Sequence, residues 1–180
     1  MTRLTCGFAS VVAGLVFLGS SPAAPAQQAA PAAKPITVTE LAPGVTAEVL
    51  AAAPSAGAPG QTVYVARFVF KPGKDIYPHS HPGTTVLGVV SGTFGWTLKA
   101  GVAHVIRKAG AGATGPVEDL TKPGTDVLLK PGDAIYYESD VVHTARGASK
   151  TNAVILGSLV LKTGAPLLMK ADMKMGPPAP

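Results

Sequence analysis

Gly73-Lys74-Asp75-Ile76-Tyr77-Pro78-His79-Ser80-His81-Pro82-Gly83-Thr84-Thr85, running on through Val86 to Gly92, is the stretch that decides how this sequence is read. It holds two of the chain's four histidines, His79 and His81, two positions apart. In an extended strand residues i and i+2 point to the same face, so the pair can present two imidazoles to one point. Neutral imidazole nitrogen is a good donor to Zn, Fe, Ni, Cu and Mn. Four scattered histidines place some pair two apart roughly one time in fifteen, the ordinary risk of a short motif. The bland alternative is two polar residues on an exposed strand, and the surrounding sequence decides between the two.

Outward from this stretch the chain is written in short β runs divided by Gly and Pro, which together make up about a fifth of it. Residues 62–70 (TVYVARFVF) are apolar on both faces except at Arg67, as suits a strand buried between two sheets. Lys71-Pro72-Gly73 ends that run with turn chemistry. Further strands are expected over 46–50, 84–90, 93–98, 103–108, 126–129, 134–137, 142–145 and 153–162. Nine or so strands without a long 3.6-residue period predict an all-β sandwich or barrel. Residues 48–53, rich in alanine, could make a helical turn, 110–115 a flexible loop, and 165–174 a short terminal helix.

A second constellation follows the first at a distance. Pro131-Gly132-Asp133 opens it, and His143 lies eleven positions beyond Gly132. Together the two resemble the paired motifs of the cupin family. The first motif runs Gly, five residues, His-x-His, three or four residues, Glu, six residues, Gly; Gly73, His79, His81 and Gly92 fall in register. The second runs Gly, five residues, Pro-x-Gly, two residues, His, three residues, Asn; Gly132 and His143 match it.

The departures are equally specific. Thr85 stands where the family has its Glu ligand, and neither Thr84 nor Val86 restores a carboxylate. Glu138 and Asp140 replace the Pro and Gly of the second motif, and Gly147 replaces its Asn. The resemblance implies a double-stranded β-helix, a jelly-roll barrel, with an insertion around 109–122. It also implies one divalent transition metal (Fe, Mn, Zn, Cu or Ni) held by His79, His81 and His143.

Three imidazoles leave positions open on an ion, which suits catalysis or substrate binding better than a closed structural site. They bring no charge, so a divalent ion keeps its +2 and favours anionic or enolate-like ligands. Thr85 could hydrogen-bond a metal-bound water. Glu138, near His143 in sequence, is a candidate general base or replacement carboxylate, against the commoner reading of a solvated turn residue. His104 reads as a hydrogen-bonded strand histidine. Tyr77, Trp96, Tyr136 and Tyr137 could line the barrel mouth, although aromatics in a β core usually pack. Arg67 either meets an anion in the cavity or faces water.

The chain ends read differently. Residues 1–26 have the form of a secretory signal: Arg3, an apolar run from Phe8 to Leu18, then Ala24-Pro25-Ala26 as a cleavage pattern. The run is too short for the roughly 20 residues that span a bilayer, so no stable membrane span is expected after cleavage. Residues 27–35 read as an Ala/Pro/Gln linker, 36–175 as the folded domain, and 176–180 (GPPAP) as a frayed tail. The only cysteine, Cys6, precedes the apolar run, so the mature chain has neither disulfides nor a thiolate nucleophile. The net charge of +5 comes from basic residues scattered singly, which argues against nucleic acid. No Gly-x-Ser-x-Gly elbow or phosphate loop occurs.

The expectation is therefore an exported protein, periplasmic or extracellular. Its barrel carries dioxygenase-like or isomerase/lyase chemistry on a small molecule. The alternative is a non-catalytic cupin that binds or senses a sugar or small acid, for a fold of this kind hosts many functions. A homodimer through edge strands is a further expectation taken from the family.

Overall fold

The computed structural model describes residues 37–110 and 115–171. The signal, the linker, most of the 110–115 loop and the tail all lie outside these residues. Thirteen strands make up the described chain: β1 (Thr37–Ala42), β2 (Val45–Pro54), β3 (Gln61–Phe70), β4 (Asp75–Ser80), β5 (Gly83–Ser91), β6 (Phe94–Ala100), β7 (Ala103–Ile106), β8 (Val117–Leu120), β9 (Asp126–Leu129), β10 (Ala134–Tyr137), β11 (Val142–Gly147), β12 (Ala153–Lys162) and β13 (Met169–Lys170). All pairings are antiparallel. One sheet has the order β1-β2-β3-β12-β5-β10-β7-β8 and the other β13-β4-β11-β6-β9.

Period-two burial explains why these runs become strands with one face to a shared core. Along β12, Ala153, Ile155, Gly157, Leu159 and Leu161 are buried, while Leu156 and Ser158 are exposed. Phe94, Trp96 and Leu98 do the same on β6, and Thr85, Leu87 and Val89 on β5. Phe70 and Phe94 meet across the two sheets with ring centroids 5.3 Å apart.

Of the terminal helix expected at 165–174, residues 165–171 form none, for among the described residues there is no helix, and 172–174 lie outside them. Residues 165–168 are irregular and β13 follows, pairing Met169 with Ser80 and Lys170 with His79. The open edge of β4 offers this segment backbone partners instead. The helical turn at 48–53 is likewise replaced by strand, since β2 pairs along its whole length with β3. Inside the 109–122 insertion, β8 adds to β7.

Periodicity did not show β1, β4, β8 or β13, and of these β4 is the one that carries His79. Ile76 pairs with Ala145 and His79 with His143, so three steps on β4 match two on β11. The extra residue is a β-bulge at Tyr77-Pro78, where Pro78 has no N–H to withhold from the ladder. Two glycines lock the same pair of strands at its other end: Gly73 N–H donates to the Gly147 carbonyl (3.0 Å) and Gly147 N–H to the Lys74 carbonyl (2.9 Å). A Cβ on Gly147 would sit 2.4 Å from the Lys71 carbonyl oxygen, which is why glycine stands where the cupin motif has Asn.

Candidate metal centre

His79, His81 and His143 meet inside the barrel. His79 is carried by β4, His81 follows the end of that strand, and His143 stands opposite His79 on β11. Their potential ligand nitrogens lie within 4.8 Å of one another, and all three rings are buried. Ring centroids are 4.2 Å apart for His79 and His143, 5.2 Å for His79 and His81, and 5.5 Å for His81 and His143.

Backbone carbonyls orient two of the rings. His79 Nδ1 is 2.8 Å from the carbonyl of Tyr77, which the bulge turns toward it, and His81 Nδ1 is 2.7 Å from the carbonyl of Leu167. A carbonyl only accepts, so both rings carry their proton on Nδ1 and leave Nε2 as a lone-pair donor. His143 differs: its Nδ1 has no hydrogen-bond partner and its Nε2 is 3.3 Å from Tyr137 Oη. Trp96 stacks on the His143 ring at 4.9 Å and 20°.

Burial keeps this cluster neutral. Desolvation lowers the pKa of His79, against a raising effect of its bond to Tyr77. It brings His81 down to about 4, helped by repulsion from His79 and opposed by the Leu167 carbonyl. His143 is held well below its usual value by burial, then by repulsion from His79 and His81, with a smaller opposing effect of the Val141 backbone. Three uncharged imidazoles at neutral pH are the protonation state that metal binding needs.

Around the histidines lie Leu41, Phe68, Phe70, Leu87, Phe94, Ala145 and Ile155, enclosing a cavity of about 20 Å³ for the centre of a water molecule. That is room for one or two waters. Leu41, half-buried on β1, is the lining residue nearest the chain's N-terminal side.

The remaining singled-out residues fall in two groups. Thr85 is fully buried, its Oγ1 has no partner, and it lies opposite Tyr137 in the ladder between β5 and β10. Tyr137 and Trp96 are also fully buried. Burial pushes the Tyr137 phenol well above its usual pKa, against a smaller lowering effect of Trp96.

Glu138 instead is exposed and outside the histidine cluster. It accepts hydrogen bonds from Thr84 Oγ1 (2.7 Å) and Tyr136 Oη, and these hold its carboxyl below the usual range. His104 Nδ1 pairs with Asp119 (2.8 Å), and Arg67 Nε donates to Glu48 (2.8 Å) on an exposed face. Tyr77 is at the surface, with Lys170 Nζ 5.5 Å from its ring centre.

Sequence reading did not separate Tyr137 and Trp96 from the other aromatics. The available signal was parity: Tyr137 is two positions from buried Ile135, and Trp96 two from buried Phe94 and Leu98. The Leu167 carbonyl had no sequence signal at all, because backbone groups carry none.

The two-sheet antiparallel barrel with histidines on its inner face defines the chain as a cupin-type jelly roll. No protein-family model matches the sequence, and no curated protein does. Solved structures similar to it include KdgF from a Halomonas species, at 19% identity over 68% of this chain and 84% of that one, with a TM-score of 0.46. A cupin superfamily protein from Desulfitobacterium hafniense is 14% identical over 65% of this chain and 77% of that one, with a TM-score of 0.40. The L-ribose isomerase of an Acinetobacter species, solved in complex with L-ribose, is 15% identical over 68% and 64%, with a TM-score of 0.49.

Proposed function

We propose that this is an exported cupin that binds one divalent transition metal through His79, His81 and His143 and acts on a small oxygenated organic molecule. The observation that carries the reading is the convergence of three buried, neutral imidazoles, two of them with Nδ1 already tied to a carbonyl. The donor set fits the ion: imidazole suits Zn, Cu, Fe and Ni, and the unpartnered Nδ1 of buried His143 is costly to leave without a partner. A bound ion would supply Lewis acidity toward a carbonyl, or dioxygen chemistry if it is redox-active.

The chain's own contribution is orientation and exclusion of water. The Tyr77 and Leu167 carbonyls fix two rings, and the phenylalanines at 68, 70 and 94 keep the cavity apolar. A ligand larger than two waters needs lining side chains to move, and half-buried Leu41 is the one with room to do so. Export would place metal loading outside the cytoplasm, where raw affinity order favours Cu or Zn.

One observation favours a non-catalytic binding or sensing role. Apart from the histidines, the cavity lining contains no side chain able to transfer a proton. Homodimerisation through edge strands has support from Val38 on β1 and Val117 on β8, exposed apolar residues on the two edges of the eight-stranded sheet.

The deciding experiment measures metal content by elemental mass spectrometry on protein taken from its native compartment. A His79→Ala/His81→Ala/His143→Ala variant is its control. About one equivalent of a transition metal, lost in the variant, supports the reading; no metal in either protein defeats it. Recovery of the protein only from the cytoplasm, with residues 1–26 still attached, defeats the export proposal.

A further inference from the structure

Thr85 and Tyr137 are directly opposed on β5 and β10, and both are fully buried. Opposed residues on one face of a sheet have Cβ atoms about 5 Å apart, so they share one region of the interior. Thr85 occupies the carboxylate position of the first cupin motif, and its hydroxyl is short and unpartnered. Tyr137 reaches further, packing its ring 4.8 Å from that of His143 and 5.8 Å from that of His81. Among the described residues, its Oη is the one side-chain oxygen within hydrogen-bonding reach of any of the three histidines.

The distance itself is informative. Tyr137 Oη lies 3.3 Å from His143 Nε2, long for an O–H···N hydrogen bond. Two atoms bound to one ion at about 2.1 Å stand about 3.0 Å apart at neighbouring octahedral positions and about 3.4 Å apart in a tetrahedron. The observed separation falls between these two values. We propose that Tyr137 is the oxygen ligand of the metal centre, a phenolate taking the place of the family's glutamate, with Thr85 as the small residue that leaves it space. The proposal rests on metal binding by the three histidines. As the Oη–metal bond forms, the phenol proton passes to solvent and no oxidation state changes. The ligand set then carries one negative charge rather than none.

Phenolate bound to Cu(II) gives a visible charge-transfer band that imidazole and water ligands do not give. The test is a Cu(II) titration of the purified mature protein, followed by absorbance and resonance Raman spectroscopy. Wild type is expected to develop the band to saturation at about one equivalent, with phenolate ring modes enhanced. Tyr137→Phe should bind Cu(II) at the histidines about tenfold more weakly or worse, without the band. Thr85→Glu should restore a carboxylate, displace the phenolate and also lose the band, while binding Cu(II) at least as tightly as wild type. This second variant guards against a Tyr137→Phe protein that fails to fold.

One equivalent of Cu(II) at the histidines with no band overturns the tyrosine ligand and leaves the three-histidine reading standing. A band that survives in Tyr137→Phe also overturns it. Absence of any Cu(II) binding in wild type defeats both readings together.

Discussion

His143 lies directly across the ladder from His79, with ring centroids 4.2 Å apart and tilted by 56°. Without the bulge at Tyr77-Pro78, a one-residue change of register would turn His79 to the outer face of its sheet. The histidine cluster therefore depends on a backbone irregularity as much as on three side chains. The same bulge aims the Tyr77 carbonyl at His79 Nδ1.

His143→Ala is expected to lower transition-metal affinity by at least about a hundredfold, since it removes one of the three proposed histidine ligands. His104→Ala should leave metal stoichiometry unchanged, because His104 pairs with exposed Asp119 on an outer face. Isothermal titration of both variants with Zn(II) checks this; equal losses would mean that the buried cluster is not the site.

Acid should destabilise the metal-free protein. The three buried histidines have folded-state pKa values below the ordinary 6.5, so below that pH the unfolded chain binds more protons than the folded one. Their stabilisation is fully present above pH 6.5 and is lost as pH falls toward about 4, the value for His81. From His81 alone the loss is on the order of 3 kcal/mol. Urea denaturation at intervals between pH 7 and pH 4 measures it, and a flat profile in that window would contradict the burial of neutral histidines.

How much of this was legible in sequence varies with the physics of each element. β12 and β3 announced themselves because long alternating or doubly apolar runs have few other uses. β4 did not, because Pro78 and the bulge break the alternation over the six residues that carry His79. The 165–174 segment misled for a different reason. Its local composition permits a helix, but pairing with β4 is a tertiary effect that no local window contains. For the site, fixed spacing brought out the three histidines, whereas Tyr137 depended on which strand becomes the neighbour of β5. Glu138 is near His143 in sequence yet exposed, since it follows buried Tyr137 at the next, outward position.

Asp133 holds the turn before β10. It is buried, and it accepts the backbone N–H groups of Lys108 (2.9 Å) and Lys130 (3.0 Å) together with an Arg107 contact at 3.3 Å. Asp133→Ala would leave two backbone donors without their acceptor. A loss of about 2–4 kcal/mol in unfolding free energy is expected. Asp133→Asn should recover part of it, since the amide oxygen can serve one donor but not both. Equilibrium unfolding of the two variants gives the comparison.

The last strand offers a separation of stability from metal binding. Ending the chain after Pro166 deletes β13 and with it the Leu167 carbonyl that fixes His81 Nδ1. Both residues of β13 are exposed, and Leu167 and Leu168 are only partly buried, so the barrel should still unfold cooperatively with a modestly lowered Tm. His81, however, loses the acceptor that sets its tautomer and ring plane. Removing such an orienting partner weakens metal binding by about 10–100-fold. The shortened chain should thus keep its near-native circular dichroism while its Zn(II) affinity falls in that range. Unchanged affinity would mean that packing against Tyr137, at 5.8 Å between ring centroids, already suffices to hold the His81 ring in place.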